Sequence, residues 1–468
     1  MEALTLGSHR LVHLDLKGAP PKITYLAQLF PLLREWGATG LLVEWEDTFP
    51  YVRELAELGS NGPSSTAGAY TAEEARELLK LAGDSGLAVV PLVQTIGHLE
   101  FVLKHDKWRG LREVEAYPSS MCPSHPEALS LATSLIKQIV EFHPDIQYVH
   151  IGADEVWHMG LCPACSRRIE TSKYGRPQLF LEHVAAVAQY VREAFPSLRV
   201  IMWDDMLRTI DTSVLLELWD KYSSVFDSIW VATAFKGATG SCQLLPVVQH
   251  HLSNHEHWLR VLSREVSKFQ HFRGVALTGW SRYDHYATLC ELLPVAIPSL
   301  TLCLKVWLAG TYTGDLHISV AKELGYADTP LLLNPYPRPQ PVPQQLSFPG
   351  WKVRVGVEWF TNLRLKYRSI IESDQVETWF NSWQIHNGFT NPMQIESLIP
   401  AFTDLMFELA SLEGYMRLHL EDTFYTPAVE EWVGTLVEPM RARLRQLKKD
   451  AEAQMLLGAR VRGYDTLL

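Results

Sequence analysis

Between residues 10 and 310 the chain alternates short apolar runs with polar loops and with longer segments whose apolar residues recur at helical spacing. The runs read RLVHLDL (10–16), GLLVEWE (40–46), LAVVPLVQ (87–94), IQYVHIG (146–152), LRVIMWDD (198–205), SIWVATAF (228–235) and GVALTGW (274–280), with a fainter eighth at LTLCLKVWL (300–308). Near-continuous apolar runs of this length suit parallel strands covered on both faces. The segments between them carry helix punctuation. TAEEARELLKLAGDSG opens with Thr71 and Glu74 at capping-box spacing and closes on Gly86, while PEALSLATSLIKQIVEFHP and QLFLEHVAAVAQYVREAFP each stop at a proline. Seven or eight such units predict an α/β architecture, a (β/α)8 TIM barrel. A doubly wound sheet fits less well, since no dinucleotide-type glycine fingerprint follows any run.

The texture changes after residue 333. NPYPRPQPVPQQLSFPG (334–350) holds six prolines and reads as a stiff linker, and the segments beyond it, such as AFTDLMFELASLEGYMRLHLED, are amphipathic helices. The expected organisation is a catalytic barrel over 1–333, a proline-rich linker over 334–350 and a helical C-terminal region over 351–468. That last region either packs under the barrel or makes a subunit contact in a homodimer.

Composition narrows the setting. The chain has 468 residues, is 47% hydrophobic and 20% charged, and no window reaches the roughly 18 apolar residues of a membrane span. The N-terminus MEALTLGSHRLVHLDLKG lacks the basic and apolar regions of a secretory signal, so a cytoplasmic or nuclear location is expected. Six cysteines without a disulfide-framework spacing fit reduced thiols. A net charge of −11 leaves no basic face for phosphate backbones, which argues against nucleic acid as a partner.

In a barrel of this kind the chemistry sits at the C-terminal ends of the strands. Those ends carry Asp15 and Lys17; Glu44, Glu46 and Asp47; Gln94 and His98; His150, Asp154 and Glu155; Trp203, Asp204 and Asp205; Trp230; and Trp280 followed by Tyr283, Asp284 and His285. Carboxylates beside aromatic faces suit a sugar, whose C–H side covers an indole while its hydroxyls bond to carboxylates. Any one of these residues has an ordinary structural use, as a helix cap or a filler of the barrel mouth; their convergence carries the argument. Asp154 and Glu155 are adjacent, so their charges repel and one holds its proton to higher pH. Projecting in different directions, they can do two jobs. Glu155 would protonate a leaving glycosidic oxygen and Asp154 would hold a group beside the anomeric carbon.

HIGADE resembles the His-x-Gly-x-Asp-Glu signature of family twenty glycoside hydrolases, the β-N-acetylhexosaminidases. The upstream QTIGH strengthens the fit, and so do VPLVQTIGHLEF, HIGADEVW, IMWDDM, WVATAFKGA and LTGWSRYDHYA over residues 8 to 310. The layout is most similar to the branch of that family without a signal peptide or N-terminal accessory domain. The resemblance implies hydrolysis of terminal N-acetyl-β-D-hexosaminides without a cofactor or metal. In that chemistry the substrate's own 2-acetamido oxygen attacks the anomeric carbon to form an oxazolinium ion, which water opens with net retention. It implies that Glu155 is the acid/base and that Asp154 orients the acetamido N–H. His98 and His150 would support the pair, Trp203, Trp230 and Trp280 would wall the acetamido group and ring, and Tyr283 and Asp284 would contact acetamido oxygen and hydroxyls. Where many members carry an arginine after the first strand, HLDLKGAPP offers Asp15 and Lys17, a point charge in place of a bidentate fork. Sugar preference is therefore open on the residues; the branch it resembles implies N-acetylgalactosaminides.

Two other functions compete. A barrel that binds carbohydrate without catalysis would keep the aromatic faces, but both carboxylates are present. A metal-dependent hydrolase would need Asp15, His98, His150 and Asp205 to converge on one ion. Separately, WHMGLCPACSRR places His158 near Cys162 and Cys165, which is half of a zinc site or a redox pair. No second Cys-x-x-Cys or His pair stands at suitable spacing, so the expectation there is a loop with two reduced thiols.

Overall fold

The computed structural model describes residues 7–59, 68–208, 215–326, 331–335 and 346–459. Among these residues nine strands run in order: β1 His9–Asp15, β2 Gly40–Glu44, β3 Ala88–Leu92, β4 Arg112–Val114, β5 Tyr117–Met121, β6 Tyr148–His150, β7 Arg199–Ile201, β8 Ser228–Lys236 and β9 His271–Gly279. Seven of them form one curled parallel sheet in the order β7-β6-β3-β2-β1-β9-β8, and β4 and β5 pair as a small antiparallel hairpin in the loop after β3. Helices on the outside connect the parallel strands, as in a (β/α)8 barrel.

The seven clearer apolar runs are strands, but the eighth is not. Residues 300–308 lie in the helix Leu293–Ala309, which begins with a proline in its first turn and ends at Gly310 in the left-handed conformation. Nearly every residue of that helix is buried, so its sequence has no polar face to reveal the helical period. β1 accordingly pairs with β9, and among the described residues no ladder joins β7 to β8.

Although the strands are apolar throughout, alternation sorts their side chains. Val12, Leu14, Leu41 and Val43 join the core beneath the helices, whereas Leu11, Leu42, Val90, Leu92, Tyr148 and Ala276 form a separate cluster inside the curl of the sheet. Following the inward phase two residues at a time changes its chemistry. Leu11 leads to His13 and Asp15, Leu42 to Glu44, Leu92 to Gln94, and Tyr148 to His150, so the lumen turns from apolar to titratable towards the C-terminal ends.

The C-terminal helices Trp351–Ile371, Leu398–Glu421 and Glu438–Leu457 bury a second cluster that also takes in Ala19, Leu289, Leu292 and Val295. They dock beside the strand ends and not under the barrel. Lys22 N donates to Thr423 O at 2.7 Å, and Pro21 bridges Phe424 just after β1. Most of the proline-rich segment, residues 336–345, lies outside the described residues.

Candidate active site

The lumen floor is a buried ionic network. Asp15 accepts from Lys17 N at 3.0 Å and from Ser281 N at 2.7 Å, and Lys17 Nζ lies 3.9 Å from Asp15 and 3.6 Å from Glu46. Burial opposes the charge on Lys17, but Asp15, Glu46 and Glu44 outweigh it and hold its pKa well above the usual value. Glu44 binds His13 Nε2 at 3.1 Å and Gln94 Nε2 at 3.0 Å; burial opposes its charge, and Lys17 and His13 still keep it low. Glu46 is the opposite case, since burial wins over Lys17 and raises its pKa. Burial also lowers His285 to about 4. Glu46 and His285 Nε2 are in close hydrogen-bond contact, and His285 Nδ1 faces Asp47 at 3.5 Å. Asp15 and Lys17, read from sequence as sugar contacts, are both buried members of this floor.

Above the floor, β6 ends at His150 and the chain turns through Gly152, Ala153 and Glu155, which all have left-handed φ, at 64°, 69° and 47°. His98 and Glu46 share that conformation at 49° and 45°. Strain of this kind persists only where packing over-determines it, and here it aims side chains that a regular strand would send elsewhere. Gly97 lets the loop after β3 come close, since a Cβ there would overlap the Asp154 carbonyl oxygen.

That approach sets His98 Nε2 at 3.5 Å from Asp154 Oδ2 and 3.4 Å from Glu155 Oε2. Burial works against a charged His98, but Glu155 and Asp154 together raise it to about 9. Burial raises Asp154 to about 6 against the pull of His98, while the hydrogen bond from His98 lowers Glu155 despite partial burial. Of the two carboxylates, the one shifted upward is therefore Asp154. The Asp154 side chain is 19% exposed and that of Glu155 42%, so the first is set into the wall and the second faces the opening. Asp154 Oδ1 is buried and has no hydrogen-bond partner among the described residues.

Other expected residues separate into near and far. His150 is buried, accepts from Gly152 N at 3.0 Å and packs on the Trp203 ring at 4.3 Å between centroids; burial lowers its pKa to about 3, so it is a neutral support. Trp280 follows β9 at the rim, edge-on to His13. Trp230 is not brought to the site. It pairs in register with Gly274, which pairs with His9, and it packs on His9 and Tyr148. Six residues of strand, roughly 20 Å, separate it from the C-terminal end of β8 at Lys236. The apolar run begins where the strand begins, so Trp230, its third residue, stands near the N-terminal end of β8. Tyr283 is 67% exposed, and Asp284 Oδ1 caps its own turn by accepting from Tyr286 N and Ala287 N.

The structure also gives partners to strand-end residues that the sequence left without a role, and adds Trp157. Asp205 accepts from Glu155 N at 3.0 Å and so fixes the acid's backbone. Trp157, two residues after Glu155, is 62% exposed and stands beside that carboxylate. Glu44, Glu46, Asp47 and His285, which sequence order places at two different strand ends, gather around Lys17 and Lys104 in the floor, a contact made by loops after β2 and β9 that no periodicity shows. Among the described residues, Asp15, His98, His150 and Asp205 do not bring their ligand atoms together closely enough for one ion, and Asp15 is held by Ser281 and Lys17, His150 by Gly152, and Asp205 by Glu155.

Known proteins give an independent line. The family model described as glycosyl hydrolase family 20, catalytic domain, matches residues 40–234. Hexosaminidase D of Homo sapiens is 38% identical over 470 residues, covering 94% of each chain. Hexosaminidase D of Bos taurus is 42% identical over 342 residues, covering 68% of this chain and 96% of the relative. A solved β-N-acetylhexosaminidase from Bacteroides fragilis superposes with a TM-score of 0.47 at 16% identity, over 68% of this chain and 70% of that one. The chain belongs to glycosyl hydrolase family 20 and is a glycoside hydrolase.

Proposed function

We propose that the protein is an exo-acting β-N-acetylhexosaminidase that removes terminal N-acetyl-β-D-hexosaminides with retention, through an oxazolinium intermediate formed by the substrate's own acetamido group. The observation that carries this reading is the division of labour at 154 and 155. A recessed carboxylate offers an unpartnered oxygen, the next residue presents a carboxylate at the opening, and one imidazole stands within 3.5 Å of both. Asp154 would accept the acetamido N–H and steady the positive charge that develops as the acetamido oxygen bonds to the anomeric carbon. Glu155 would deliver a proton to the departing glycosidic oxygen, drawn from His98, and then take one from the water that opens the oxazolinium ring.

Among hexosaminides we propose a preference for N-acetylgalactosaminides, the sugar that resemblance to the hexosaminidase D branch implies. Hydrolysis of paired aryl N-acetyl-β-galactosaminide and N-acetyl-β-glucosaminide substrates tests both levels at once. Glu155→Gln is expected to lower kcat by about 100- to 10,000-fold on a poor leaving group, and Asp154→Asn by a similar factor. Near wild-type turnover in either variant would remove its assigned role, and faster turnover of the gluco substrate would reverse the preference.

A further inference from the structure

The loop that follows the candidate acid ends in a cluster no hydrolytic step uses. Glu113, on β4, and Cys122, just after β5, meet Cys162 and Cys165 at the N-terminus of the helix Pro163–Thr171, with one ligand atom of each within 4.8 Å of every other. Cys122 Sγ lies 3.4 Å from Cys162 Sγ and 3.5 Å from Cys165 Sγ, and Cys165 Sγ lies 3.2 Å from Glu113 Oε2. We propose that these four residues form a structural zinc site, with three thiolates and one carboxylate around a single Zn2+.

Geometry supports the assignment. With Zn–S near ~2.3 Å and Zn–O near ~2.0 Å, a tetrahedron separates sulfurs by about 3.8 Å and a sulfur from an oxygen by about 3.5 Å. The gathered thiols need open by only a few tenths of an ångström. Glu113 is prepared for one bond and not two, because its Oε1 already accepts from Leu161 N at 2.7 Å and Cys162 N at 2.8 Å, leaving Oε2 to face the sulfurs. Glu113, Cys122 and Cys165 are all buried, so bulk water does not compete for their ligand atoms. Counter-charge is at hand: Cys165 N donates to Cys162 Sγ at 3.3 Å, and Arg168 reaches Ser124 Oγ, which lies 3.0 Å from Cys165 Sγ. Binding would exchange the thiol protons for the metal, releasing them to solvent.

Sequence spacing pointed to His158 as the partner of the Cys-x-x-Cys and found no fourth ligand. The fold instead supplies Glu113 and Cys122 from the hairpin, while His158 stacks on Tyr117 at 4.5 Å. An ion here would tie that hairpin to the helix on the far side of residues 156–161. The loop carrying Trp157 would then be closed at both ends, by Glu155 and by the metal.

The test is metal content and cobalt spectroscopy of the full chain purified under reducing conditions. About one equivalent of zinc per chain is expected, with Co2+ exchange giving a thiolate-to-cobalt charge-transfer band and the intense visible bands of a tetrahedral site. Cys122→Ser combined with Cys165→Ser should lose the metal and both signals, and Glu113→Gln should weaken zinc retention against a competing chelator by about 10- to 100-fold. Chelation of the wild type should lower its melting temperature by about 5 °C or more. A reduced wild-type chain that takes up less than about a tenth of an equivalent of added Zn2+ would overturn the site. So would a doubly substituted chain that keeps a full equivalent, or a freshly isolated chain that has two of these thiols in a disulfide and still takes up no zinc once reduced. These readouts do not depend on glycosidase activity, so they stand apart from the proposed reaction.

Discussion

A single imidazole between two carboxylates governs the acid–base behaviour at the residue scale. Mutual repulsion says that one of Asp154 and Glu155 must hold its proton longer, but which one depends on burial and on where His98 points. Asp154 is the more recessed, and His98 favours the anion of Glu155, so the upward shift falls on Asp154 and the removable proton rests on His98. In the free enzyme kcat/KM should then follow a bell. The acid limb lies near pH 6, where Asp154 gains a proton and can no longer accept an acetamido N–H, and the alkaline limb near pH 9, where His98 loses the proton that Glu155 would pass on. His98→Gln keeps a donor at this place but cannot hold a titrating proton. It should lower kcat/KM and flatten the alkaline limb; an unchanged limb in that variant would assign it to another group.

At the scale of elements, the strands were legible because their apolar runs are long and bounded by loops, and the capping box at Thr71 and Glu74 forms as its spacing indicates. The helix Leu293–Ala309 is buried almost throughout, so it reads like a strand, and Trp230 does not reach the site because it is the third residue of a nine-residue strand whose C-terminal end is Lys236. The DE pair was visible as a motif, but the contact that positions it was not. That contact is the approach of Gly97 to the Asp154 carbonyl, made across two loops that sequence separation hides. Gly97→Ala measures its worth. The added methyl must push the two loops apart, which should cost about 1–3 kcal/mol in urea denaturation and, by shifting Asp154 and His98 together, lower kcat by about 10- to 100-fold. Full activity with reduced stability would mean that the pair tolerates the shift.

On the scale of the whole molecule, the helical region bears on the site through one carboxylate. Glu431, in the helix Thr426–Trp432, takes Arg282 Nη1 and Nη2 at 3.0 and 2.9 Å and also Leu289 N at 3.1 Å. The same guanidinium gives Nε to Lys17 O at 3.1 Å and Nη1 to Ala287 O at 2.9 Å, so the ends of β1 and β9 and the C-terminal helices meet at a single bidentate pair. Arg282 is 6% exposed, and removing its anionic partner would leave a buried cation with carbonyls alone. The Glu431 side chain is 27% exposed, which screens part of that penalty, and Glu431→Gln should cost about 1–3 kcal/mol. The segment so braced, residues 281–290, carries Tyr283, Asp284 and His285 past the mouth of the lumen. If the helices hold it in place for substrate, KM in Glu431→Gln should rise several-fold while kcat changes less, since Asp154, Glu155 and His98 lie on other loops. Lower stability with an unaltered KM would instead make the C-terminal helices a brace for the barrel alone, and Tyr283 and Asp284 would drop out of the site with it.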